Sequence, residues 1–186
     1  YIRSTTAHYF LIRMLEQVGL TLSDITPIPL GLSQGLTAFK SGDLDAWATY
    51  GYVIPLLEND GSGRVLQSAE NILSGHYFIG ANPLRLDDPD FCAAAGDYLK
   101  RLARTYKFLS QNKKRWASII APVVQVPETV ILSDLEAQNR SYQIRLSNET
   151  DIRNAESVAN TFVRNNLISS VPDLKSIFSD VLRKYL

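Results

Sequence analysis

Between Thr5 and Val18 the apolar residues Ala7, Phe10, Leu11, Met14, Leu15 and Val18 return at helical spacing, and Gly19 closes the run. With an amphipathic helix this close to the start, the strand expected before it is either cut to Tyr1-Ile2-Arg3 or missing. The segment Asp24 to Leu30 then reads as a short strand whose Pro27 and Pro29 suit an edge. A second helix is predicted from about Leu32 to Lys40, ended by Gly42, and Asp45 to Tyr50 follows as a strand. A short helix over Val53 to Glu58 leads into the loop Asn59-Asp60-Gly61-Ser62-Gly63. This succession of strands and helices calls for an α/β domain with a parallel sheet.

Further along, Arg64 to Gln67 and Tyr77 to Gly80 read as short strands, after which the pattern changes. Asp88-Pro89 is a helix start, with Asp at the N-cap and Pro at the first helical position. From there Phe91, Ala94, Ala95, Tyr98, Leu102, Tyr106 and Leu109 hold one face of a long helix. More helices are predicted over about Arg115 to Pro122, Glu128 to Gln138, Glu149 to Asn165 and Leu174 to Tyr185, with Ser141 to Leu146 as an alternating extended stretch. Such a tail has apolar helix faces and almost no strands of its own. The sheet that covers them is expected in an N-terminal part that this chain lacks. A chain that opens on Tyr1, with Met14 its only methionine, likewise reads as a mature or truncated piece.

Composition narrows the chemistry. With 45% hydrophobic residues a core can form, and with 19 basic against 19 acidic residues no global field is expected to draw nucleic acid or an acidic membrane surface. No run of basic residues is expected to supply a local one. Cys92 is the single cysteine, which excludes an internal disulfide, and it reads as a small core residue. The two histidines belong to no metal-ligating pattern, so neither metal nor cofactor is expected. No apolar run approaches the roughly 20 residues a membrane span needs.

Arg3-Ser4-Thr5-Thr6-Ala7-His8 is the candidate site. A helix start has unpartnered N–H groups and a partial positive charge, so Ser4, Thr5 and Thr6 there suit an anion such as a sulfonate, sulfate, nitrate or carboxylate. A plain N-cap is the alternative for the same residues. Arg140, just past a predicted helix end, reads as a capping cation.

Several segments line up in order and spacing with one family. Thr5-Thr6-Ala7-His8-Tyr9, Gly19-Leu20, Asp24-Ile25, Ala38-Phe39, Gly42, Asp45-Ala46-Trp47 and Tyr50 resemble the solute-binding proteins of ABC importers for nitrate, taurine and aliphatic sulfonates. Ser141-Tyr142 and Ala159-Asn160-Thr161-Phe162, with Asn166-Leu167-Ile168, resemble its C-terminal portion. The resemblance implies an α/β, type II periplasmic-binding-protein-like fold of two lobes, the first incomplete in this chain. Residues 1–76 would form most of the second lobe, and residues 77–186 the crossover and the C-terminal helical part of the first.

The implied function is non-enzymatic: capture of a small organic anion between the lobes by hinge closure, and delivery to an ABC permease in the membrane. A periplasmic or extracytoplasmic membrane-anchored location follows, and a monomer at full length. Ser4, Thr5 and Thr6 would hold the anion. Trp47 and Tyr50 would wall the cleft, Trp47 having core packing as its alternative, and His76, where the chain crosses between lobes, would add a contact. His8 reads as packing or a surface hydrogen bond. Two departures stand out: Gly51-Tyr52 where many members have an acid and a proline, and Ser4 where a glycine often precedes the hydroxyl pair. The first counts against an amino-sulfonate ligand. Desulfinases and thiamine-pyrimidine synthases resemble the same scaffold, as do ligand-sensing regulatory domains; a desulfinase would need Cys92 in the cleft.

Overall fold

The computed structural model describes residues 1–137 and 142–186. Arg140 and Ser141 lie outside the described residues. Eight α-helices are found among those described: α1 (Thr6–Gln17), α2 (Leu32–Ser41), α3 (Val53–Asn59), α4 (Pro89–Gln111), α5 (Lys113–Val124), α6 (Glu128–Ala137), α7 (Glu149–Arg164) and α8 (Leu174–Ile177).

The capping residues set most of these boundaries. Gly42 sits at φ 82, and its N–H and that of Asp43 bond to α2 carbonyls, closing that helix in the left-handed geometry glycine tolerates. Asp88 accepts from the N–H groups of Asp90 and Phe91, and Pro89 occupies the first turn of α4. Asn148 accepts from Thr150 and Asp151, and Asp151 returns the bond to the Asn148 N–H, a full capping box for α7.

Two expectations are corrected. First, no strand is found among the described residues: 24–30, 45–50, 64–67, 77–80 and 142–146 carry no ladder. A strand exists through pairing with a neighbour, and extended chain without that partner is not one. One parallel contact does form. The Tyr1 nitrogen donates to the Ile28 carbonyl at 3.2 Å and the Leu30 N–H donates to the Tyr1 carbonyl at 2.9 Å, a pair centred on Pro29, which has no N–H to offer. Second, the helix predicted from Leu174 to Tyr185 stops at Ile177. Phe178 turns extended and meets the ring of Phe78 edge-on at 5.2 Å, Ser179 accepts from the Val181 N–H, and a 3₁₀ turn covers Val181–Tyr185.

The described residues form two compact units. One comprises Tyr1–Ser74 and Ala117–Ala137; Gly75–Trp116 and 142–186 belong to the other. In the first, Ala117, Val126, Val130 and Ile131 form a core cluster against which Tyr52, Ile120 and Leu135 pack, and α1 buries Ala7, Tyr9, Phe10 and Ile12. In the second, α4 buries Cys92, Gly96 and Leu99, and the 180s turn lies on it. A methyl group on Gly96 would stand 2.4 Å from Cβ of Tyr185 and 3.2 Å from its carbonyl oxygen, so the close approach depends on glycine.

Replacing Gly96 with alanine removes a mid-helix glycine, a gain of up to about 1 kcal/mol, yet overpacks this contact by about 1–3 kcal/mol. We expect net destabilisation in urea denaturation and faster amide exchange over residues 181–186. A more stable variant with unchanged exchange would show that the contact is dispensable.

Candidate functional site

The start of α1 is built by its own neighbours. Ser4 lies at φ 58, in the left-handed region where glycine is unpenalised, and its N–H donates to Nδ1 of His8 at 3.2 Å. His8 is 1% exposed, which corrects a surface role and supports a packed one. Accepting through Nδ1 requires the neutral tautomer with hydrogen on Nε2. Burial is the main cause that holds its pKa below the usual histidine value, and the Arg3 charge adds to it. The ring of Tyr1 lies 4.5 Å from that of His8.

Thr5 is the N-cap residue by backbone geometry, yet its hydroxyl makes no cap bond and donates instead to the Ile2 carbonyl at 2.6 Å. Thr6 is exposed and Thr5 half-buried. Among the described residues the N–H groups of Thr6 and Ala7 find no acceptor, and the first turn of α1 contains no acid. The plain N-cap reading therefore does not describe Thr5. A helix start with open N–H donors, a free-standing threonine hydroxyl and no competing carboxylate has the chemistry of an anion cradle.

Trp47 lies in the segment between α2 and α3 and packs against α2. Its ring stands 6.3 Å from that of Phe39, and a methyl on Gly35 would come within 2.5 Å of the indole. Its Nε1 is buried with no partner, and so is the hydroxyl of Thr49. Sequence reasoning missed Thr49, whose burial has no signal in the sequence. Tyr50 is 39% exposed, ahead of Gly51 at φ 77. Tyr52 is committed to the α5 and α6 core.

His76 belongs to the second unit and has a dense polar setting. Its Nδ1 lies 2.9 Å from a carboxylate oxygen of Asp151, which is 2% exposed. Arg145 grips the same carboxylate through two nitrogens, at 2.5 and 2.8 Å, and the Asn148 N–H donates at 2.8 Å. The Arg145 bonds above all hold the Asp151 carboxyl far below the usual range, against the opposing pull of burial. Neither Arg145 nor Asp151 stands out in sequence, since they meet through the turn before α7. Cys92 is 2% exposed and its thiol donates to the Leu86 carbonyl at 3.3 Å, the setting of a core residue. Among the described residues no cluster of potential metal ligands is found.

This chain has part of the two-lobed fold of periplasmic solute-binding proteins, and the likeness runs through nearly its whole length. It superimposes on the periplasmic aliphatic sulphonate binding protein SsuA from Escherichia coli with a TM-score of 0.80, covering 97% of this chain and 57% of that one at 22% identity. The alkanesulfonate-binding protein SsuA from Xanthomonas axonopodis pv. citri, solved bound to MOPS, matches with a TM-score of 0.80 over 93% of this chain and 58% of that one at 24% identity. A curated Escherichia coli (strain K12) relative, "Putative aliphatic sulfonates-binding protein", is 24% identical over 180 residues, 93% of this chain and 53% of its own length. The chain thus spans about half the length of the curated relative it matches. No family model matches.

Two outcomes follow from this geometry. The folded His8 pKa lies below its unfolded value near 6.5, so the unfolded state binds more protons between the two. Stability is then fully present above about pH 6.5 and is lost as pH falls below it. Thermal melts from about pH 8 to pH 5 should show this slope, and a His8→Gln variant should flatten it. An unchanged slope would place the titration elsewhere. For Asp151, whose folded pKa is depressed, the contribution is present above the unfolded value of about 3.9 and is lost as pH falls through the folded one. Asp151→Asn leaves Arg145 without its counter-charge and His76 without its carboxylate partner, and should cost about 3 kcal/mol in urea denaturation. A loss under about 1 kcal/mol would reduce the cluster to surface pairing.

Proposed function

We propose that this chain is part of the extracytoplasmic, periplasmic solute-binding component of an ABC importer, which captures a small organic anion of the sulfonate, taurine or nitrate class and delivers it to a membrane permease. The observation that carries the reading is the collinear likeness to sulfonate-binding proteins over 93% of the chain, with open N–H donors at the start of α1. Its relatives are described as binding proteins, which supports capture without covalent chemistry. Among the described residues no helix is long and apolar enough to cross a membrane.

In this reading Ser4, Thr5 and Thr6 hold the anionic head. Thr6 supplies a hydroxyl and backbone N–H. Thr5 supplies its N–H alone, because its hydroxyl hydrogen is spent on Ile2. Each charge-assisted bond contributes about 1.5–3 kcal/mol. Trp47 and Tyr50 face the ligand's apolar part, and His76, oriented by Asp151, adds a contact. Most of one lobe comes from Tyr1–Ser74, to which Ala117–Ala137 is added rather than kept with the residues from 77 onward, and Gly75–Trp116 with 142–186 contribute to the other. Ligand contact with both lobes then stabilises the closed state in proportion to its differential affinity.

Calorimetric titration of the full-length protein with alkanesulfonates, taurine, nitrate and sulfate tests this. We expect one class to bind, and replacement of Thr5 and Thr6 by alanine to weaken it about tenfold or more with the fold retained. Unchanged affinity in that variant would remove the α1 start from the site. Absence of binding to every anion would remove the transport reading.

A further inference from the structure

The neutral total charge hides a concentrated basic face. Of 19 basic residues, seven fall between Lys100 and Arg115, and no acid occurs between Asp97 and Glu128. This corrects the expectation that no local basic run exists. On α4, Lys100, Arg101, Arg104 and Lys107 are exposed and recur at intervals that confine them to about one third of the helix circumference, away from buried Leu99 and Leu109 and bordered by the Gly96 row. The face continues over the α4–α5 junction into Lys113 and Lys114. Arg101 pairs with Asp97 at 2.6 Å, and Arg115 lies over the Phe108 ring at 5.9 Å. Lys100, Arg104, Lys107, Lys113 and Lys114 make no ion pair among the described residues.

Helix electrostatics explain only half of this. Cations along the C-terminal half of α4 complement its dipole, but α5 opens with Lys113-Lys114-Arg115 and has no acid in its first turn. Cations at the positive end of a helix oppose folding, and of these three Arg115 is engaged on the Phe108 ring, which leaves Lys113 and Lys114 without an ion pair to offset that cost among the described residues. Four of the five unpaired cations are lysines, mobile point charges rather than the rigid forks that read one bidentate partner. Tyr98, 58% exposed, flanks the patch with an amphipathic ring. Diffuse lysine charge beside an aromatic suits a laterally fluid anionic surface better than a single acidic protein site.

We infer that this face docks on an anionic phospholipid bilayer. The proposal stands apart from the α1 site. Sedimentation of the full chain with vesicles of mixed phosphatidylglycerol and phosphatidylcholine should show binding that pure phosphatidylcholine lacks. Raising salt from about 0.02 to about 0.3 M should weaken it tenfold or more. Lys100→Gln with Arg104→Gln and Lys107→Gln should weaken binding about a hundredfold, and Lys113→Gln with Lys114→Gln more than tenfold, at unchanged circular dichroism. A charge-matched control, Arg64→Gln with Lys175→Gln and Arg183→Gln, should bind as the parent does. No binding to mixed vesicles at low salt, or equal loss in the control, would overturn the proposal. Binding to heparin without binding to vesicles would also overturn it, assigning the face to a soluble polyanion.

Discussion

The hydrogen bond from the Ser4 N–H to Nδ1 of His8 governs how the chain enters α1. Ser4 has to adopt φ 58, a conformation that costs a residue with a side chain, and a buried imbalance would undo the turn. His8 removes that imbalance by presenting an acceptor from one turn inside the helix. With the turn fixed, Ile2 receives the Thr5 hydroxyl, and Tyr1 lies where it pairs with Ile28 and Leu30. The open donors of Thr6 and Ala7 are therefore a product of tertiary burial at His8 as much as of the local sequence.

The second unit relies on one buried carboxylate in a comparable way. Asp151 serves as capping-box acid for α7, as counter-ion to Arg145 and as partner to His76. Each role alone is modest, but they share one group. The cost of desolvating that carboxylate is repaid only while all of them are made together. Such sharing couples the residues around His76, those before α7 and the first turn of α7 into one cooperative element.

Much of this fold was legible because it is written in local signals. Gly42, Asp88-Pro89 and the Asn148 cap each act within a few residues, and the observed helix ends follow them closely. What could not be read depends on partners distant in sequence. Segments such as Tyr77 to Gly80 have strand composition, but pairing is a property of two segments and no ladder forms on them. Leu174 to Tyr185 has helical periodicity, yet the Phe78 ring and the seat on Gly96 are distant in sequence from the Phe178 and Tyr185 they meet, and break it. At the candidate site, the hydroxyl run was visible. The anchoring role of His8, the diversion of the Thr5 hydroxyl and the unpartnered Thr49 hydroxyl were not, because each is decided by what burial brings alongside.

Cys92 has a practical consequence. With its thiol buried on α4 and engaged by the Leu86 carbonyl, the one cysteine of these 186 residues is withheld from a labelling reagent. A single cysteine introduced on an exposed position of either unit would accept one fluorophore or spin label without removal of a native residue. The protein is thereby ready-made for distance measurements between its two units, in which the geometry of each state is reported by probes rather than inferred from either unit alone.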